Sequence, residues 1–162
     1  MLAAEWRNET SELIYVPRVH IQNVEMRRMG QYDSFNSGLR AANLQYGFLT
    51  VLRGSIHSSQ AIAVFVRNAH NVTINSTNIY GTYRNGIVVR GATNLILHDN
   101  LVMHNQERAW DTSIKLKDFQ VAVDICVGEQ NSQCRNYTIS NNTLTGGAGI
   151  GFTAPMQACG DE

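Results

Sequence analysis

Four short stretches of the chain alternate apolar and other residues in the same way: Leu49-Thr-Val51, Val72-Thr-Ile74, Leu95-Ile-Leu97 and Tyr137-Thr-Ile139. In every copy another apolar residue follows five positions later, at Ile56, Ile79, Val102 and Leu144. The first three copies are 23 residues apart, from Val51 to Ile74 to Leu97, and Ile139 comes 42 residues after Leu97, which implies an insertion of about 19 residues. A second strand-like segment keeps the same spacing, because Val64-Phe-Val66-Arg67 falls on Ile87-Val-Val89-Arg90. Strands this short cannot bury an apolar face alone. They can if each turn of chain lies on the previous one at about 4.8 Å, so that Val51, Ile74, Leu97 and Ile139 become one internal column. The pattern predicts an all-β solenoid, a right-handed parallel β-helix with coils of about 23 residues and a lateral insertion.

Other repeat architectures fit poorly. A leucine-rich repeat would show Leu-x-x-Leu-x-Leu and usually a helix in each period, and helical or heptad spacing is missing between Phe48 and Ala92. Gly54, Thr77, Asn100 and Asn142 fall at one repeat position, where the chain has to bend between strands. Asparagine suits that place, since it tolerates left-handed backbone and can hydrogen-bond to the next coil.

Divided this way, the chain is a single unit: residues 1–18 as a partial coil or lead, 19–105 as regular coils, 106–135 as the insertion and 136–162 as the last coil. Val19, Ile21, Val24 and Met26 mark an early coil, followed by a polar excursion from Gln31 to Gln45. The insertion carries Trp110, Asp111, Lys115, Lys117 and one expected strand, Phe119 to Val127.

Composition narrows the function. The 162 residues hold 13 acidic and 13 basic side chains, a net charge of zero. No field is available to draw in nucleic acid, and Arg27-Arg28 is the only basic pair. No apolar run reaches the roughly 18 to 20 residues of a membrane helix, and residues 1–10 lack a secretory pattern, so no direct membrane contact is expected of this segment. The cysteines, Cys126, Cys134 and Cys159, form no C-x-x-C pair, so neither zinc nor any other cofactor is called for. Cys126 and Cys134 are close enough to close a small disulfide loop, and three buried free thiols fit the sequence as well. Asn8, Asn71, Asn75, Asn136 and Asn141 begin Asn-x-Ser/Thr sequons, which serve equally as glycan acceptors or as turn residues followed by strand-prone Thr.

The order of motifs resembles the parallel β-helix repeats of fibrocystin and the fibrocystin-like proteins across about residues 19 to 159. The resemblance rests on Asn23-Val-Glu-Met-Arg-Arg-Met-Gly-Gln31, on Gly54-Ser-Ile-His-Ser-Ser-Gln-Ala61, on the Gly86 to Val89 strand, and on the Gly-rich end from Gly146 to Cys159 with Pro155. It implies a receptor-like, membrane-anchored, mostly extracellular parent whose β-helix has no established chemistry. The immunoglobulin-like repeats and membrane segment of full-length members are missing, so the chain reads as a fragment or a reduced relative.

Because parallel β-helices often act on polysaccharides, an enzyme is the competing expectation. Glycoside hydrolysis needs two carboxylates about 5 to 9.5 Å apart across one groove. The candidates are Asp99, Asp111 and Asp124, with Glu107 nearby, yet one period either side of Asp99 stand Ser76 and Ala122. A lyase of the pectate kind would want clustered carboxylates for calcium, and none is clustered. The five histidines, His20, His57, His70, His98 and His104, do not stack at the 23-residue spacing, although His98 and His104 could approach one face with Asp99. Trp110, Tyr80 and Tyr83 could stack on sugars or pack against the wall. Hyaluronan-degrading proteins with similar repeats keep an enzymatic parent in view. The leading expectation is a non-catalytic scaffold that presents its loops to an unknown protein or glycan, with end-to-end self-association through open strand edges. Size-exclusion chromatography of the isolated chain is expected to show association that grows with concentration; a stable monomer at all concentrations would contradict it.

Overall fold

A computed structural model describes residues 2–7, 13–30, 37–44, 46–103, 122–125, 134–145 and 152–153, and every structural statement below is made of these. The predicted register is present. Strand β1 spans Leu2–Arg7, β2 Leu13–Gln22, β3 Glu25–Arg27, β4 Leu39–Ala42 and β5 Phe48–Leu52. Then come β6 (Ser55–His57), β7 (Val64–Asn75), β8 (Asn78–Tyr80), β9 (Ile87–His98) and β10 (Leu101–Met103). The last are β11 (Val123–Ile125), β12 (Cys134–Ser140), β13 (Thr143–Thr145) and β14 (Phe152–Thr153). They form a parallel β-helix of three sides.

One side stacks β3, β6, β8, β10 and β13, with Met26, Ile56, Ile79, Val102 and Leu144 in one column. A second runs through β2, β5, the end of β7, the end of β9 and β12, and places Val51 on Ile74, Ile74 on Leu97 and Leu97 on Ile139. The third stacks β4, the start of β7, the start of β9, β11 and β14. Alternation sends Val64, Val66, Ile87 and Val89 inward, all at most 1 % exposed. Burying each such side chain stabilises the fold by about 2 kcal/mol. Small residues line the bend between the third and second sides, where Ala69 lies under Ala92 and Ala92 under Cys134.

At the other bend of the second side, the amides of two successive coils tie the stack together. Asn100 Oδ1 accepts from Thr77 N–H at 3.0 Å, and Asn100 Nδ2 donates to the Ile74 carbonyl at 2.8 Å. One coil later, Asn142 Oδ1 accepts from Asn100 N–H at 3.0 Å while Asn142 Nδ2 donates to the Leu97 carbonyl at 2.8 Å. The left-handed residue is the one before: Ser76, Asp99 and Asn141 have φ of 50°, 51° and 53°. The sequence reading put the left-handed conformation on Asn100 and Asn142 themselves. Their amides instead serve the stack, and the neighbour turns the chain.

Three further expectations change. The strand expected within a lateral insertion is a rung of the stack, since Val123 pairs with Ile87 and Ile125 with Val89, and a β-carbon at Gly86 would lie 2.8 Å from the Ala122 carbonyl. The extra residues therefore split around it. Val123 follows Ile87 by 36 residues instead of 23, and Cys134 follows Ile125 by nine where Ala92 follows Val89 by three, giving excesses of 13 and six. The rest of that predicted strand, with Phe119 and Val127, lies outside the described residues. Within the polar excursion, Leu39–Ala42 is a rung on Val64–Arg67. The lead at the N-terminus is an antiparallel hairpin, with Leu2 opposite Arg18 and Arg7 opposite Leu13.

Substituting Asn100→Ala would leave the Thr77 N–H and the Ile74 carbonyl without the amide that satisfies them inside the wall. Chemical denaturation is expected to show a loss of about 3 kcal/mol. A loss below about 1 kcal/mol would mean that the ladder does not hold the coils.

Candidate functional site

Of the three carboxylates of the enzyme reading, the two described ones, Asp99 and Asp124, do not share a groove. Asp124 sits on β11 directly over Val88, on the outward side of the third face, and is only 9 % exposed. Its Oδ2 accepts from Arg90 Nη2 at 2.5 Å, and Arg90 Nη1 donates to the Val89 carbonyl at 3.1 Å. A carboxylate so far out of water requires a cation beside it, and Arg90 supplies one from the coil below. Asp99 lies eleven positions beyond Val88 along the chain, past the left-handed bends at Gly91 and Asn94, at the end of the second side. Asp111 lies outside the described residues, as do Glu107, His104 and Trp110.

Asp99 is 48 % exposed on its side chain and pairs with its neighbour, Oδ2 lying 3.0 Å from His98 Nε2. The other ring nitrogen, Nδ1, shares a hydrogen bond with the Ser140 hydroxyl at 2.8 Å. A serine, a histidine and an aspartate are thus joined in a line. His98 and Ser140 are register partners on adjacent coils, so their contact is one member of an outward ladder rather than a convergence of separate elements.

The side that stacks β3, β6 and β8 carries another such ladder. His57 and Tyr80 are register partners whose rings stack at 4.8 Å and 4°. His57 Nε2 donates to Glu25 Oε1 at 2.7 Å, and Nδ1 shares a hydrogen bond with Ser58 Oγ at 3.2 Å. The hydrogen bond and charge of His57 hold the Glu25 carboxyl below its usual range. Tyr80, offered by the sequence as a sugar platform, is 38 % exposed with one ring face against His57.

The sequons divide by environment. Asn71 Oδ1 accepts from Asn94 Nδ2 at 2.9 Å and Asn94 Oδ1 accepts from Asn136 Nδ2 at 2.6 Å, a second amide ladder up the stack. Asn75 Oδ1 accepts from the Ser76 hydroxyl at 2.8 Å. Asn141 is exposed at the outer bend, and Asn8 lies outside the described residues. Cys134 is disulfide-bonded, and both other cysteines lie outside the described residues. Among the described residues no three His, Cys, Asp or Glu side chains gather as a metal site. No described helix is long and apolar enough to cross a membrane.

Two expected outcomes follow. Arg90→Met should cost about 2 to 4 kcal/mol because it strands the nearly buried Asp124 charge, and adding Asp124→Leu should recover most of that loss in a double-mutant cycle. Additive losses would show that the pair is not coupled. Because the Glu25 carboxyl is depressed in the folded state, its contribution is present above the ordinary value of 4.5 and disappears as pH falls through the folded value. The stability gap between the wild type and Glu25→Gln should therefore close on acidification below pH 4.5, as read by thermal melts; a gap that widens there would contradict the contact.

A family model described as a right-handed beta helix region matches residues 12–155. No curated protein and no solved structure matches the chain. The matched span contains the three-sided stack from β2 to β14, and the chain belongs to the right-handed β-helix family.

Proposed function

We propose that the chain is a non-catalytic extracellular β-helix module of a receptor-like, membrane-anchored protein of the fibrocystin type, acting as a scaffold or interaction surface. The observation that carries this reading is where the reactive side chains go. Asp124 is held by Arg90, Asp99 by His98 and Glu25 by His57, each on its own bend or side. Two carboxylates facing one substrate bond, the minimum for glycoside hydrolysis, do not assemble among the described residues.

The Cys134 disulfide supports an oxidising location, since such bonds persist outside the cytosol. We assign its partner as Cys126, which closes a short loop at the Ala69–Ala92–Cys134 bend, with Cys159 left over. The sequons suit the same compartment, and Asn141 is the acceptor best placed for a glycan, because the amides of Asn71 and Asn136 are engaged in their ladder. The link to fibrocystin-type parents rests on the order of the coil motifs from Asn23 to Cys159, and the partner is a protein or glycan that meets the loops.

Incubation of the purified chain with hyaluronan and with polygalacturonate is expected to yield neither new reducing ends nor unsaturated products. Turnover that disappears in Asp99→Asn or Asp124→Asn would replace this reading with the polysaccharide-degrading one, in which Asp99, Asp111 and Asp124 share the work. Non-reducing peptide mapping is expected to recover Cys126 joined to Cys134; a peptide joining Cys134 to Cys159 would overturn the assignment.

A further inference from the structure

Where the second side turns toward β6, β8 and β10, its outward residues form a small block over three successive coils. Asn75 lies under His98 and His98 under Ser140, and each is followed in the chain by a left-handed residue: Ser76, Asp99 and Asn141. The middle coil of the block holds the His98–Asp99 pair, which Ser140 joins from the coil above. Two sequons begin at opposite corners of this block, Asn75-Ser-Thr77 in the lowest coil and Asn141-Asn-Thr143 in the highest. Neither amide nitrogen is spent on the stack among the described residues. The Asn75 side chain engages its oxygen, which accepts from the Ser76 hydroxyl, and Asn141 stands exposed at the bend. At the far edge of the second side, by contrast, Asn136 donates its nitrogen to Asn94, and Asn94 donates to Asn71. The block itself is open: the His98 and Asp99 side chains are 34 % and 48 % exposed, and Ile96, two residues before His98, is 42 % exposed.

We propose that Asn75 and Asn141 both carry N-linked glycans, and that the two sugars together roof the Ser140–His98–Asp99 row and Ile96. The inference rests on the extracellular reading and deepens it by naming a wall that the scaffold's partner does not meet. In the attachment the amide nitrogen bonds to the anomeric carbon of an oligosaccharide carried on a polyprenyl diphosphate. The carbon–oxygen bond to the diphosphate breaks, the diphosphate leaves with the electron pair, and one amide hydrogen departs as a proton. Thr77 is fully buried and its hydroxyl donates to the Asn75 carbonyl at 3.1 Å, so this sequon is open to a transferring enzyme only before its coil closes. Adjacent coils are about 4.8 Å apart, which puts His98 one coil from Asn75 and one coil from Ser140, the residue before Asn141. Attached glycans are bulky and solvated, and one planted on each side of so narrow a row leaves no room for a macromolecule between them. The Ser140–His98–Asp99 line is then wall under sugar, closed to a polysaccharide, and Ile96 is shielded without a protein partner.

The test secretes the full chain from a glycosylating host behind an added signal peptide and maps occupied asparagines by enzymatic release of the glycans in heavy-oxygen water. Occupancy is expected at Asn75 and at Asn141; an unmodified residue at either position overturns the proposal, whatever Asn71 and Asn136 carry. Coverage is read on an Ile96→Cys chain with a polyethylene glycol maleimide, which should react about fivefold more slowly before glycan release than after it, since attached glycans are bulky. An Arg27→Cys chain, altered at the exposed far end of β3, should react equally in both states. Equal rates for Ile96→Cys before and after release overturn the roof even with both sites occupied. The mapping uses the unsubstituted chain, so it stands if a cysteine variant misfolds. Because secretion is imposed, an empty site counts against this proposal alone, and the disulfide and polysaccharide results still judge the extracellular scaffold.

Discussion

Every feature of this molecule depends on coils stacking strand over strand in a fixed parallel register. A strand of three residues has too little apolar surface to be stable alone, and its edge groups need partners along the stack. The bend at Thr77, Asn100 and Asn142 satisfies both requirements at one point. The amides pair the N–H of the coil below, and by gripping the Ile74 and Leu97 carbonyls they hold each coil directly above the last. The inward columns then close over themselves, and whatever faces outward is carried up the wall in rows.

Those rows explain the chemistry of the surface. His57 over Tyr80, Ser140 over His98 and Asn136 over Asn94 are all register neighbours, joined because stacking brings equivalent positions together. A row of this kind spends its polar groups on its own neighbours. The Ser140–His98–Asp99 line shows how stacking alone can build an arrangement that resembles a catalytic relay, without elements converging from different parts of the fold to shape a substrate site. The Arg90–Asp124 pair differs, because burial makes it structural: the rung at Val123–Ile125 brings a carboxylate against the wall, and the arginine one coil below neutralises it.

The columns through Val51, Ile74, Leu97 and Ile139 and through Ile56, Ile79, Val102 and Leu144 were legible in the sequence because period and alternation agree there. What could not be read had equivocal local signals. Alternation from Phe119 to Val127 is the same whether the strand projects sideways or stacks, and only the pairing of Val123 with Ile87 decides. Leu39-Arg-Ala-Ala is too small and mixed to announce a strand, and the pairing of β1 with β2 is antiparallel in a chain whose repeats are parallel. The candidate site was less legible than the fold. Asp99 could be placed at a bend, but the Arg90–Asp124 contact spans 34 residues and an insertion whose division into 13 and six no spacing rule reveals. Asp111 and His104 stand outside the described residues and stay with the sequence reading.

The register itself is the claim to test most directly, by engineered cross-linking between adjacent coils. Thr73 and Ile96 are register partners on the outward side of the second face, Ile96 being 42 % exposed. Adjacent parallel strands place such α-carbons about 4.8 Å apart, within the range a disulfide spans. Thr73→Cys with Ile96→Cys should oxidise readily to a bond that peptide mapping places between those two positions, while Thr73→Cys with His98→Cys, shifted by two residues, should not. Efficient cross-linking of the shifted pair and not of the aligned one would contradict the stack on which the account is built.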